Sequence, residues 1–175
     1  MIALLRAINV AGRNKVPMAN LRKMFEALGF ASVQTLLQTG NVAFVGKATE
    51  AQLEAELKKR LDVETEFILR SDAEWTKLIA ANPFPQMATD DPGHLVVMFM
   101  KQAPGPAEMK ALQAAVKGNE TVKAVGKQVY ACYPDGIGRS KLTVALIEKK
   151  LGIRGTGRNW NTAMKLAKLA SLAGA

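Results

Sequence analysis

Val33-Gln34-Thr35-Leu36-Leu37-Gln38-Thr39-Gly40-Asn41-Val42-Ala43-Phe44-Val45 decides the fold. Two strand-like runs, Val33 to Gln38 and Val42 to Val45, flank Thr39-Gly40-Asn41, which carries the residue types of a tight hairpin turn. Upstream, Leu21, Met24, Phe25 and Leu28 follow Pro17 at the spacing of one helical face, and Gly29 stands where that helix should end. Further upstream, the apolar run Ile2 to Ile8 reads as a central strand, followed by a loop from Asn9 to Lys15. Downstream, Leu53, Leu57 and Leu61 recur at four-residue steps on a second helix, with Glu54 and Lys58 spaced for an i,i+4 pair. Glu64 to Leu69 then alternates like a half-buried strand. The order is β-α-β-β-α-β.

The pattern then repeats in outline. A connecting helix is expected over residues 71–82, capped by Ser71 or Asp72, and Asn82-Pro83-Phe84-Pro85 stops it. His94 to Met100 reads as a buried strand, Pro106 to Val116 as a helix, and Thr121 to Val125 pairs with Gln128 to Cys132 across Gly126-Lys127. Helices are expected at Lys141 to Leu151 and Asn159 to Leu172, while a fourth strand at Ile153-Arg154 is left open. The expected fold class is α+β: two ferredoxin-like (β-α-β-β-α-β) subdomains in tandem plus a C-terminal helix. The first lobe with its connecting helix would span 1–82, a linker 83–93, and the second lobe with the C-terminal helix 94–175. One larger mixed sheet would use the same elements.

Composition narrows the chemistry. The 175 residues include one cysteine, Cys132, and one histidine, His94, which excludes His-rich and Cys-rich metal centres and any intrachain disulfide. No cofactor is implied, and the cysteine usage points to the cytoplasm. No stretch approaches the ~20 apolar residues of a membrane span. The net charge of +9 is uneven: residues 88–175 carry 13 basic and 6 acidic side chains, against 11 and 9 before them. That tail is either a solvated lysine-rich surface or a face for a polyanion.

Polar loops hold the candidate site residues. Between the first strand and helix lie Asn9, Arg13, Asn14 and Lys15, with Arg6 just ahead, at a helix start where anions are favoured. The first crossover makes the first two strands parallel, which brings this loop to the same end of the sheet as Thr39, Gly40 and Asn41. A plainer account makes Asn9 and Asn14 turn residues and Gly12 a source of positive φ. Tyr133-Pro134-Asp135-Gly136-Ile137-Gly138-Arg139-Ser140-Lys141 leads from strand to helix. Its glycines would let backbone N–H groups approach a phosphate beside Arg139, Ser140 and Lys141, although neither the Walker nor the dinucleotide pattern is met. Ser140 as a plain helix cap is the competing account. In Gly155-Thr156-Gly157-Arg158-Asn159-Trp160-Asn161-Thr162, Asn159 or Asn161 caps the last helix and Trp160 folds under it, or Arg158 and Trp160 face a phosphate or base. Base stacking on the sheet is excluded, because the strands lack the rings it needs. Cys132 reads as core. A Ser140–His94–Asp135 triad lacks any nucleophile-elbow motif.

Six segments together resemble one bacterial family, that of the domain of unknown function 1697. They are Ala3 to Val10, Asn14 to Met18, Leu28-Gly29-Phe30, Gln38 to Val42, Tyr133 to Leu142 and Arg158 to Thr162. The resemblance runs over essentially the whole chain. It implies ferredoxin-like subdomains in a cytosolic bacterial protein, and no activity. Ala7 and Ala11 stand where glycine is expected in many relatives.

The leading functional reading is an anion-binding protein, its ligand a nucleic acid or a phosphorylated metabolite held by basic loops at helix starts. The alternative is an enzyme acting on a small phosphorylated or carboxylated substrate. Arginines 6, 13, 139 and 158 would position that substrate, with Asp135 or Ser140 as reactive group. A third reading, a homodimer or partner complex built on an exposed sheet edge, is also open.

Overall fold

The computed structural model describes residues 1–9 and 15–173. The chain forms two compact units, one built on residues 1–76 with the chain from Lys165 onward, the other on Lys77–Met164. This division falls ahead of the 83–93 segment expected as a linker, and that segment contains a helix of its own, α4 (Pro85–Asp90).

In the first unit the order is β1 (Ile2–Leu5), α1 (Met18–Ala27), β2 (Ala31–Leu36), β3 (Asn41–Val45), α2 (Glu50–Leu61) and β4 (Phe67–Arg70). The strands form one antiparallel sheet in the order β2-β3-β1-β4, the ferredoxin-like arrangement. The spaced apolar residues of α1, Leu21, Met24 and Phe25, are buried against Leu5, Val42, Phe44 and Phe67. Phe25 meets Phe44 edge-on with ring centroids 5.0 Å apart. The hairpin is one step earlier than its composition suggests. Leu37 (φ +59) and Gly40 (φ +71) turn the chain, and Asn41 enters the strand as its first residue.

The second unit repeats the topology: β5 (Leu95–Met100), α5 (Pro106–Ala115), β6 (Thr121–Val125), β7 (Gln128–Cys132), α6 (Val144–Leu151) and β8 (Gly155–Asn159). Its sheet order is β6-β7-β5-β8, so there are two separate four-stranded sheets rather than one mixed sheet. Equivalent backbone bonds tie both hairpins to the first strand of their unit: Leu5 N–H donates to Gly40 C=O at 2.8 Å, and Met100 N–H to Lys127 C=O at 2.9 Å. α3 (Asp72–Ala80) opens with a capping box, in which Ser71 N–H donates to the Glu74 carboxylate and Glu74 N–H to Ser71 Oγ. α7 (Trp160–Ala173) closes the described chain.

The fourth strand of the second unit, left open at Ile153-Arg154, is Gly155–Asn159. Two local expectations change. α6 starts at Val144, with Thr143 rather than Ser140 accepting from the helix at Leu146 N. Glu54 does not pair with Lys58, which turns to Asp62 and Glu64 instead. Glu54 accepts the Phe67 N–H at 2.9 Å and Glu50 the Leu69 N–H at 3.0 Å, so α2 closes the outer edge of β4. Glu148 on α6 accepts the Gly155 N–H of β8 in the same way, at 2.8 Å.

Candidate functional site

The loop after β1 and the β2–β3 hairpin do converge, and Asn9 is the bridge. Its carboxamide N donates to Gln38 C=O at 2.7 Å and to Val16 C=O at 3.1 Å, while its Oδ1 accepts the Val16 N–H at 2.9 Å. Asn9 itself sits at φ +54, a conformation asparagine tolerates better than most residues. Asn41 is fully buried and donates to Leu36 C=O and Thr39 Oγ1, which closes the turn from inside. Both carboxamides are therefore part of the fold rather than free for a ligand. Arg6 is half-buried and its carbonyl accepts from the Thr65 hydroxyl; Lys15 is exposed. Arg13 and Asn14, with Val10, Ala11 and Gly12, lie outside the described residues.

Arg158, Asn159 and Trp160 also turn inward. Arg158 lies on β8 opposite Val97, and its guanidinium donates to Thr156 Oγ1 at 2.7 Å and to Gly157 C=O at 2.8 Å. Burial lowers its pKa to about 10, so it stays charged at neutral pH. Asn159 is the cap of α7, its Oδ1 accepting the Thr162 N–H at 3.0 Å, and Trp160 is buried. Asn161 is exposed and is not needed for the cap.

The third cluster is different. The turn before β6 and the loop after β7 enclose a cleft of about 220 Å³, lined by Lys117, Gly118, Glu120, Asp135, Gly136, Arg139, Ser140 and Lys141. The sheet register explains the meeting. Thr121 pairs with Cys132, so the residues before β6 and after β7 emerge at the same end. Gly136 (φ +91) and the 3-10 turn Ile137–Arg139 then fold the loop back. Ser140 fastens the two walls together: its hydroxyl donates to the Glu120 carboxylate, and its Oγ accepts the Leu142 N–H at 2.9 Å. That hydroxyl holds Glu120 below the usual carboxylate range. The other oxygen, Glu120 Oε2, is shielded from water without a hydrogen-bond partner. Asp135 accepts from Asn119 Nδ2 at 2.9 Å. Tyr133 anchors the loop beneath, its Oη donating to Leu142 C=O at 3.0 Å, and burial pushes its phenol up to about 12.

Among the described residues, none of the three cations around this cleft, Lys117, Arg139 and Lys141, forms an ion pair, and all are exposed. No triad forms, since Ser140 bonds Glu120, His94 bonds Asp91 at 2.6 Å, and Asp135 bonds Asn119. Cys132 is buried, and desolvation raises its thiol pKa, as suits a core residue.

The family described as "Protein of unknown function (DUF1697)" matches residues 1–130. The chain belongs to that family. The DUF1697 match includes Lys117 and Glu120 and ends before Asp135, Arg139, Ser140 and Lys141. In structure this DUF1697 chain is similar to the conserved bacterial protein SP0830 from Streptococcus pneumoniae, with 21% identity, a TM-score of 0.70 and 97% of each chain covered. At that identity the likeness shows the shared fold. No curated protein matches the chain at a significant level. No helix among the described residues is long and apolar enough to cross a membrane.

Sequence reasoning picked out half of the DUF1697 cleft, the segment Asp135 to Lys141, and missed the other half. Lys117 and Glu120 sit in an ordinary polar turn, and only the β6–β7 pairing brings them to Ser140.

Proposed function

We propose that this protein binds a small phosphorylated ligand in the cleft between residues 117–120 and 135–141. The observation that carries this reading is the set of cations, Lys117, Arg139 and Lys141, standing unpaired around a concave space. Arg139 offers the planar donor fork that phosphate accepts, and the lysines add point charges. A cleft of about 220 Å³ lies below the roughly 300–1,000 Å³ of pockets that hold drug-sized ligands. It therefore suits a ligand of a few heavy atoms better than a nucleotide.

Nucleic acid is the less favoured ligand. Its recognition needs a basic track or exposed rings, whereas Arg158 and Trp160 are engaged within the fold and Phe84 is half-buried with the Lys123 ammonium 5.0 Å over its ring. The enzymatic alternative has one observation in its favour, the hydroxyl of Ser140 bonded to a carboxylate inside the cleft. Because that bond lowers the Glu120 pKa, the carboxylate is a weak proton acceptor, and binding remains the better reading. The one thiol, buried as it is, suits a reducing bacterial cytoplasm.

The test is thermal stabilisation by inorganic phosphate, small phosphate esters, nucleotides and oligonucleotides. Small phosphates should raise the melting temperature of the wild type, and the R139A/K141A double variant should lose that rise. Equal stabilisation of both proteins would place the anion elsewhere.

A further inference from the structure

The cleft holds charges of both signs without letting them pair. Asp135 and Glu120 share the walls with Lys117, Arg139 and Lys141, yet among the described residues no ion pair joins the two sets. Asp135 is exposed and keeps one carboxylate oxygen beyond its bond to Asn119. Glu120 stays in place through Ser140, and the backbone N–H groups of Gly118 and Glu120 add to the stabilisation of its charge. A Cβ at Gly118 would lie 2.6 Å from Glu120 Oε2, so a side chain at position 118 would oblige the carboxylate to shift. For a plain anion these carboxylates are a handicap, since each like charge a few ångströms away opposes the attraction of the cations. For a ligand that carries a cation beside its phosphate, they are the matching half of the site.

Resting on the reading of this cleft as a phosphate site, we propose that its ligand is a zwitterionic phosphate monoester: an ammonium group a short linker away from the phosphate. Arg139 and the two lysines take the phosphate oxygens, and Asp135 accepts from the ammonium, with Glu120 adding its negative potential from behind. The same arrangement explains why a basic chain does not gather its acids away from its cations here. The carboxylates thereby weaken the binding of plain phosphate, which carries no ammonium, relative to that of the zwitterion without abolishing it.

The experiment compares 2-aminoethyl phosphate with ethyl phosphate, which differ only in the ammonium, by calorimetric titration at neutral pH. The wild type should bind 2-aminoethyl phosphate at least tenfold more tightly. D135N, a change at an exposed side chain, should reduce that preference to less than threefold while ethyl phosphate binds as well as before or better. Equal affinity of the wild type for the two esters, each dependent on Arg139, overturns this inference and leaves the phosphate site standing. A preference that survives in both D135N and E120Q also overturns it. Failure of the wild type to bind either ester overturns the phosphate reading and this inference with it.

Discussion

The two units share a topology, a sheet order and the backbone bonds that tie each hairpin to its central strand, but they turn their polar loops in opposite directions. In the first unit, Asn9 and Asn41 reach inward, and every carboxamide bond goes to the chain itself. In the second, the hairpin is a bare Gly126-Lys127 turn, and the polar residues collect at the other end of the sheet, around the cleft. The difference follows from side-chain reach. A carboxamide is short and carries donor and acceptor together, so it closes turns. Lysine and arginine carry only donors on long stems, and around the cleft Lys117, Arg139 and Lys141 stay exposed beside acids that are bonded to Asn119 and Ser140 instead.

The hairpins give the largest contrast. A Cβ at Gly40 would lie 2.6 Å from Leu5 Cβ and 2.7 Å from Ile8 Cδ1, at φ +71. At Gly126, φ is +58 and the nearest atom is Gln128 Oε1 at 3.6 Å. Gly40→Ala should therefore destabilise by about 3 kcal/mol, through overpacking and left-handed strain together. Gly126→Ala should cost about 1 kcal/mol, from strain alone. Chemical denaturation of both variants checks this, and equal losses would remove the distinction between an internal and an open turn.

Next in size is Asn41→Ala, which leaves the Leu36 carbonyl without its side-chain donor in a buried turn and should cost about 2 kcal/mol. Arg158→Ala should cost about 1 kcal/mol, because it removes a largely buried side chain's bonds to Thr156 and Gly157 rather than an exposed charge. A melting temperature indistinguishable from wild type would return Arg158 to the surface. Arg139→Ala is at the far end of the scale, within roughly ±0.5 kcal/mol in the absence of ligand.

Acidity bears on the cleft as well. The folded-state pKa of Glu120 lies below its ordinary 4.5, chiefly through the Ser140 hydroxyl. Its contribution is complete above that ordinary value and is lost as pH falls through the lower folded value. The acid side of a stability-against-pH curve should thus be shallower in Ser140→Ala, and an unchanged slope would show that the bond does not tie the cleft walls.

Much of this architecture can be read from periodicity. The helical face of Leu21, Met24 and Phe25 and the buried runs Ile2–Leu5 and Leu95–Met100 carry the repeat by themselves. β8 escapes such reading because Gly-Thr-Gly-Arg-Asn has one strand-favouring residue, Thr156, among glycines and polar residues. Gly155 is there for close packing, since a Cβ would lie 2.9 Å from the Phe99 carbonyl oxygen, while one at Gly157 would press on Met98 Sδ at 2.8 Å. Arg158 was accordingly expected in a loop at a helix start, whereas pairing with β5 puts it on the sheet. The loop residues of the cleft were legible as Gly-x-Gly-Arg-Ser-Lys, but Glu120 was not, since nothing local marks a carboxylate that meets its partner only through strand register.

The glutamates along β4 and β8 have a consequence for crowding. Sheet growth by stacking strand on strand requires vacant amides at a border, and fibrils begin where such a border is offered. Here Glu50, Glu54 and Glu148 already occupy amides on one border of each sheet. On β6 Gln113 donates to the Val122 carbonyl, and β2 is broken by a shift of register between Ala31 and Gln34. A neighbouring chain would have to displace a negatively charged side chain to extend either sheet at β4 or β8. Those carboxylates thus close, with side chains of the same chain, the amides that an added strand would need.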